Sequence, residues 1–317
     1  MFYMLTLLKY KLMKTIKTLS IKIDVDTERG TRIGVPQLVS LLKELDIPAT
    51  FFFSLGPDHT GRALKRIFRK GFFAKVQRTS VISVYGIRTL LNGVLLPGPH
   101  IGKCHADLMH KVQTEGFQVG IHCYDHIKWQ DGVAKMPEVA IAEEFGKARV
   151  EFKRVFGVEA QAAAAPGWQA NEKTLAVYDQ ADLLYGSDCR GIRPFYPSVG
   201  DKVFKTLQIP TTLPTLDELV GLPEFPLERL NDYYLSLLQS DHPNVMTIHA
   251  ELEGMKYLTW FREFLLFLKQ KQVEFCDLEA IARNCLKDQE QIPVCEMIQG
   301  TVVNRSGFLA VQDNYNG

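Results

Sequence analysis

The sequence predicts an α/β fold with a parallel sheet or barrel, and two observations lead to that prediction. Short apolar segments typical of strands alternate with amphipathic helical segments, which is the pattern of βα units. Polar residues follow the ends of several of these strands, where parallel barrels build their active sites. The 317 residues are 46% hydrophobic and 23% charged, the composition of a globular protein with a sizeable core.

The predicted strands are short apolar runs bounded by turn residues. They are 19–25, 49–53, 117–121, 161–165, 183–186, 245–248 and 273–275. Between them, Leu38, Leu41 and Leu42 stand at helical spacing and predict a helix over 34–45. Residues 137–156 form a second, longer amphipathic pattern.

The same pattern divides the chain into parts. The alternation stops after about Arg283, so we predict an N-terminal extension (1–18), a main domain (19–284) and a C-terminal tail (285–317) that is an appendage or partly disordered. The apolar start is interrupted by lysines and lacks a cleavage site, and no later stretch is long enough for a transmembrane helix. The six cysteines contain no close Cys-x-x-Cys pair. We therefore expect a cytoplasmic protein with free thiols.

One segment between the second and third strands is too long for a simple βα connection. Residues 59–106 contain nine Lys or Arg residues and no Asp or Glu, interleaved with Phe, Ile and Leu. We predict an inserted amphipathic element at 60–103, with one or two interfacial helices within 62–96. Such a surface suits an anionic membrane. The alternatives are an ordinary solvated helix pair or a nucleic-acid patch, and the apolar density favours the membrane over nucleic acid.

Two groups of polar residues at strand ends suggest a metal site. Asp24 and Asp26 end the first strand, so one carboxylate can bind a metal while the other acts as general base. The alternative is a helix-capping Asp beside a loop Asp. His122 and His126, at positions i and i+4, are predicted to share one helical turn and chelate one ion. With Asp26 they form a two-His, one-carboxylate set suited to zinc, cobalt, manganese or iron.

A third histidine lies at the end of a late strand. His249 suits a general acid that protonates a leaving nitrogen, and a buried core histidine is the alternative. Four further polar or aromatic residues are candidates for substrate contact. They are Trp168, Asp188, Arg190 and Glu251. Trp168 could instead belong to the core, Asp188 could pair with Arg190 to fix a loop, and Glu251 could be solvated.

Taken together, these residues resemble the five ordered motifs of the NodB-homology polysaccharide deacetylases. The motifs are Asp24-x-Asp26, His122-x-x-x-His126, Pro166-Gly167-Trp168, Asp188 in Ser-Asp-Cys-Arg, and Ile248-His249. The resemblance covers roughly residues 21–278 and implies a distorted (β/α) barrel. It also implies roles: Asp24 as general base, His249 as general acid, and Asp26, His122 and His126 as ligands of a divalent metal.

Two positions depart from the family pattern. The first motif commonly reads Thr-Phe-Asp-Asp, whereas Val25 separates the carboxylates here. The third motif usually supplies an arginine that orients the base, but Ala163 to Ala165 precede Pro166. Arg190 is one candidate substitute.

Longer phrases resemble one branch of the family, the deformylases of undecaprenyl-phosphate-linked 4-deoxy-4-formamido-L-arabinose. They are 23–32, 52–58, 187–191, 208–210 and 247–251. This resemblance implies metal-dependent deformylation that frees an amine for lipid A modification and polymyxin resistance. The enzyme would be peripheral, on the cytoplasmic face of the bacterial inner membrane.

Three other functions are alternatives. An N-deacetylase could act on another polysaccharide or lipid-linked sugar, although the absent signal peptide argues against an exported enzyme. A metallophosphoesterase commonly needs two metals, whereas the ligand set here suits one. A non-catalytic glycolipid-binding barrel would be favoured by missing motif residues, but all five presumed metal and acid–base positions are filled.

Overall fold

The computed structural model describes residues 17–63 and 89–315. In chain order the strands are β1 (Thr18–Val25), β2 (Ala49–Ser54), β3 (Gln118–Cys123), β4 (Ala162–Ala163), β5 (Tyr185–Gly186), β6 (Tyr196–Val199), β7 (Lys202–Val203), β8 (Leu207–Gln208), β9 (Asn244–His249), β10 (Glu274–Phe275), β11 (Val294–Gly300) and β12 (Leu309–Gln312). The helices are α1 (Val35–Glu44), α2 (Ile101–Cys104), α3 (Ala106–Thr114), α4 (His126–Gly132), α5 (Glu138–Phe156), α6 (Glu172–Gln180), α7 (Leu216–Leu219), α8 (Leu230–Leu237), α9 (Leu258–Gln270) and α10 (Leu278–Cys285).

Eight of the described strands form one parallel sheet. Its order is β10-β1-β2-β3-β4-β5-β8, and β9 also pairs with β1. The segment after β8 then reaches β9, where the hydroxyls of Thr211 and Thr247 lie 2.7 Å apart. Leu213 N also donates to Val245 O at 3.2 Å. The sheet thus curves into a distorted, partly closed barrel, which confirms the predicted α/β fold class.

The apolar segments predicted as strands form the core of this barrel. Seven of the eight residues of β1 and all six residues of β2 are buried. Strands covered on both faces carry nearly continuous apolar runs, and for that reason their positions can be predicted to within one or two residues. Helix α1 turns its apolar stripe inward, so that Leu38, Leu41 and Leu42 are all buried.

The C-terminal residues form a second sheet against the barrel. Its order is β12-β11-β6-β7. Arg190 N donates to Ala310 O at 3.0 Å, and Gln312 N donates to Arg190 O at 2.8 Å. Leu309 and Val311 are buried in one apolar cluster with Trp168. The prediction that this tail is an appendage is therefore wrong, because β11 pairs with a strand about one hundred residues earlier.

Much of the predicted insertion at 60–103 lies outside the described residues. Residues 64–88 are not described, so the interfacial helices expected within 62–96 stay a prediction. Residues 1–16 of the predicted N-terminal extension also lie outside the described residues. At the described end of the insertion, Val94, Leu95 and Leu96 are 55%, 75% and 40% exposed. No helix in residues 17–63 and 89–315 is long and apolar enough to cross a membrane.

Candidate active site

The carboxyl ends of three neighbouring strands bring the predicted metal ligands together. Asp24 lies within β1 and Asp26 follows that strand, whereas His122 lies near the end of β3. Because β1, β2 and β3 are parallel neighbours, these ends meet at one rim of the barrel. The expectation that scattered polar residues converge on one rim agrees with this placement.

The sequence spacing predicts that the two histidines share one helical turn, and this prediction is wrong. His122 is a strand residue, and α4 begins only at His126. Asp125 makes this boundary, because its extended backbone and side chain form the N-cap and its Oδ1 accepts from Lys128 N at 3.0 Å. The histidines therefore face each other across a strand-to-helix corner, with ring centroids 5.3 Å apart.

Asp26, His122 and His126 form a compact set of donor atoms. Asp26 Oδ1 lies 3.2 Å from His122 Nε2 and 3.5 Å from His126 Nε2. One donor atom from each residue lies within 4.8 Å of the other two. Ligands about 2.0–2.2 Å from a shared ion are separated by roughly 3–3.5 Å. The three side chains therefore fit a divalent metal and leave further coordination positions open.

The electrostatics of the set favour a cation. Burial opposes ionisation of Asp26, yet the His126 and His122 rings hold the pKa of its carboxyl well below the ordinary value. Burial also opposes protonation of His122, but Asp24 and Asp26 raise the pKa of that imidazole above its ordinary value. The ionised carboxylate of Asp26 and the two imidazole rings thus offer a negative charge and nitrogen donors to a cation.

The candidate general acid lies directly beside the candidate general base. In the parallel ladder between β1 and β9, Asp24 and His249 are register partners. His249 is half-buried, and its charge lowers the pKa of Asp26, which places it close to the donor set. Its backbone N–H donates to Glu253 Oε2 at 2.9 Å. Burial raises the pKa of Glu253 to about 8.

Glu251 binds the backbone of the loop that carries the candidate ligand Asp26. Its Oε1 accepts from Asp26 N at 3.2 Å, and from the backbone N and the hydroxyl of Thr27 at 2.8 and 2.7 Å. A Cβ at Gly30 would lie 2.0 Å from the same oxygen, so only glycine allows this approach. Burial, followed by the charge of Asp26, raises the pKa of Glu251 to about 8. These contacts favour a positioning role over the substrate contact predicted for Glu251.

The other three predicted substrate contacts are buried below the rim. Asp188 accepts from Ala165 N at 2.7 Å and from Gln208 Nε2 at 3.0 Å, and burial raises its pKa to about 6. Trp168 is only 2% exposed, and Arg190 is 1% exposed. Among the described residues Arg190 pairs with Glu218, so the alternative that Asp188 pairs with Arg190 is wrong. The burial of Trp168 supports its core alternative, and the contacts of Asp188 and Arg190 favour structural roles with other partners.

The motif analysis missed one residue of the candidate site, a buried lysine. Lys22 is fully buried on β1, and its Nζ lies 3.0 Å from Asp24 Oδ2. Strand periodicity places residues 22 and 24 on the same face. A lysine inside an apolar strand is almost never fully buried unless it is paired. The spacing of Lys22 and Asp24 within the apolar segment 19–25 could therefore have predicted this ion pair from the sequence.

Comparisons with known proteins agree with this geometry. The model of the family described as polysaccharide deacetylase matches residues 15–186. A protein of Shewanella sediminis is 36% identical over 94% of this chain and 96% of its own length. A protein of Wigglesworthia glossinidia brevipalpis is 33% identical over 89% of this chain and 98% of its own. Both are named "Probable 4-deoxy-4-formamido-L-arabinose-phosphoundecaprenol deformylase ArnD".

Solved structures support the fold. The crystal structure of a Mycobacterium smegmatis protein assigned to the polysaccharide deacetylases superposes with a TM-score of 0.59 at 17% identity. The superposition covers 92% of this chain and 95% of the other. The family match extends over more than half of the chain, and the two relatives align along nearly all of it. The chain belongs to the polysaccharide deacetylase family and is a hydrolase of a carbon–nitrogen amide bond.

Proposed function

We propose that the enzyme hydrolyses the formamide of undecaprenyl-phosphate-linked 4-deoxy-4-formamido-L-arabinose. The observation that carries the proposal is the pairing of Asp24 with His249 across β1 and β9, beside the three-residue donor set. This arrangement supplies a base and an acid within reach of one amide bond. The names of the two relatives support the formyl group and the lipid-linked sugar as the substrate.

Each protein group has a separate part in the reaction. Asp26, His122 and His126 would hold a divalent ion, which polarises an acyl carbonyl and makes water more acidic when bound. Asp24 takes the proton of the attacking water, whose oxygen adds to the formyl carbon. His249 gives a proton to the sugar nitrogen as the carbon–nitrogen bond breaks. The products are formate and a free amine.

The free amine explains the proposed biological role. A formamide is neutral, whereas the amine carries a positive charge at neutral pH. Transfer of such a sugar to lipid A would lower the negative charge of the outer surface. Cationic peptides such as polymyxin would then bind less strongly, because their attraction to that surface is electrostatic.

Mass spectrometry of the lipid-linked sugar tests the proposal directly. Purified, metal-loaded protein incubated with the formamido-arabinose lipid should release formate and leave a product lighter by one carbonyl unit. The acetamido analogue is the matched control, and it should react more slowly. Faster release of acetate would support the N-deacetylase alternative, and no turnover of either lipid would support a non-catalytic barrel.

We also propose that the insertion at 60–103 holds the enzyme on the cytoplasmic face of the inner membrane. The support comes from its described end, where three consecutive apolar residues are exposed. This loop lies close to the metal-ligand corner. Gly93 packs against His59, whose Nδ1 lies 2.7 Å from Asp125 Oδ2, immediately before the ligand His126. A membrane that contacts the loop would therefore lie near the site that receives the sugar.

Leu95→Glu should weaken binding to anionic vesicles by about tenfold or more, since burying a leucine contributes about 1.5–3 kcal/mol. Flotation with vesicles at physiological salt measures the bound fraction. Val150→Glu is the matched control, because Val150 is 72% exposed on α5, outside the insertion. It should float like the wild type. A wild-type protein that stays with the soluble fraction would rule out the membrane proposal.

A further inference from the structure

A buried ammonium group contacts the candidate general base. Lys22 Nζ lies 3.0 Å from Asp24 Oδ2, and both side chains are almost inaccessible to solvent. The same Nζ lies 5.7 Å from the ring centroid of Phe52 and 5.4 Å from that of Trp168. A buried charge is tolerated only when it is paired, so Asp24 and the two aromatic faces together account for this lysine.

Arg190, the other buried cation near Trp168, binds residues other than Asp24. Arg190 Nη1 lies 2.8 and 3.1 Å from the two carboxylate oxygens of Glu218. Its Nη2 donates to Leu213 O and to the hydroxyl of Tyr315, both at 3.0 Å. Arg190 therefore cannot take the place of the arginine that the third family motif usually supplies. Lys22 is the lysine or arginine that the described residues place against Asp24.

The contact makes the two oxygens of Asp24 different. Oδ2 accepts from Lys22, whereas the buried Oδ1 has no hydrogen-bond partner in the described structure. His122 Nδ1 lies 4.0 Å from Oδ1, on the side of the donor set. One oxygen is thus anchored inside the barrel and the other is left to accept a proton at the rim.

We propose that Lys22 is the positioning residue of the general base, which it fixes through Asp24 Oδ2 so that Oδ1 faces the attacking water. This inference rests on the proposed function, because Asp24 is given its role there. Lys22 touches no substrate and acts only through Asp24. The family's third motif places its orienting arginine before the loop that follows β4. In this chain the orienting cation would be Lys22 on β1, two residues before Asp24.

A double-mutant cycle on the metal-loaded enzyme tests this role. Lys22→Met removes the charge and keeps an unbranched side chain of similar length. It should lower kcat by about 10–100-fold, the range for groups that orient reactive side chains from behind, and leave KM and metal content unchanged. In the Asp24→Asn background the same change should leave kcat within about twofold, because residues that act as one unit are not additive.

Arg190→Met is the matched control, since it removes a similarly buried cation that also lies near the ring of Trp168. Its ion pair with Glu218 serves the fold, so it should lower kcat by the same factor in both backgrounds. An equal loss for Lys22→Met in the two backgrounds would overturn the proposal. If Lys22→Met does not fold, Lys22→Leu, which also removes the donor, enters the same cycle with the same two outcomes.

The cycle also separates this inference from the choice of substrate. It can be measured with any N-acyl sugar that the wild type hydrolyses. A wild type that releases acetate but no formate would reject the proposed deformylation and leave the test of Lys22 intact. A wild type that releases formate and shows an additive cycle would reject only the role of Lys22.

Discussion

His122→Ala and His126→Ala are each expected to abolish turnover and to lower bound metal far below one ion per chain. Each change removes one of three ligands from a set whose nitrogen atoms lie 3.2 and 3.5 Å from Asp26 Oδ1. Outer partners of metal ligands typically contribute about 10–100-fold to affinity, and a ligand itself should contribute more. Metal analysis of the purified, dialysed variants gives the ratio of ion to protein.

His110→Ala is the control for this experiment, because His110 is an exposed histidine on α3 outside the site. It should retain both the metal and the activity of the wild type. Full metal content in both ligand variants would contradict the assignment. Loss of metal without loss of turnover would instead separate the donor set from the chemistry.

Asp24→Asn and His249→Ala should each lower kcat by about 10²–10⁴-fold, the usual contribution of a general acid or base. Neither residue belongs to the donor set, so both variants should bind metal as the wild type does. Asparagine keeps the shape of Asp24 but cannot accept the proton of water. Alanine leaves the departing nitrogen without the donor that His249 supplies.

Steady-state rates and metal content, measured on the same preparations, check this prediction. Asp107→Asn is a suitable control, because Asp107 is exposed on α3. Unchanged turnover in either site variant would remove that residue from the mechanism. Loss of metal from His249→Ala would mean that this histidine is a ligand and not the acid.

The grouping of the candidate site residues could be predicted from the sequence because these residues follow strand ends. Parallel strands bring their carboxyl ends to one rim, so Asp26, His122 and His249 converge whatever the lengths of the connections. The strand-to-helix corner between the histidines was missed, since the spacing of four residues suits a helical turn equally well. The N-cap at Asp125 decides the matter, and Asp is a favoured residue at that position.

The parts that could not be predicted depend on contacts between distant or very short segments. Strands β7 and β8, which were not predicted, contain two residues each, too few for a periodic pattern. Strand β11 has mostly exposed residues, so its apolar pattern is weak, and its partner β6 lies far away in sequence. The burial of Trp168 and Arg190 follows from this second sheet, which explains why both were taken for substrate contacts.

The ladder between β1 and β9 also bears on when Asp24 and His249 can meet during synthesis. Asp24 leaves the ribosome more than two hundred residues before His249. Until then one edge of β1 has neither of its later partners, β9 and β10. Pairing between such distant segments is slow, and an open strand edge invites association with other chains. We therefore expect the candidate base and acid to meet late in folding, and translation products that end before β9 to lack this pairing.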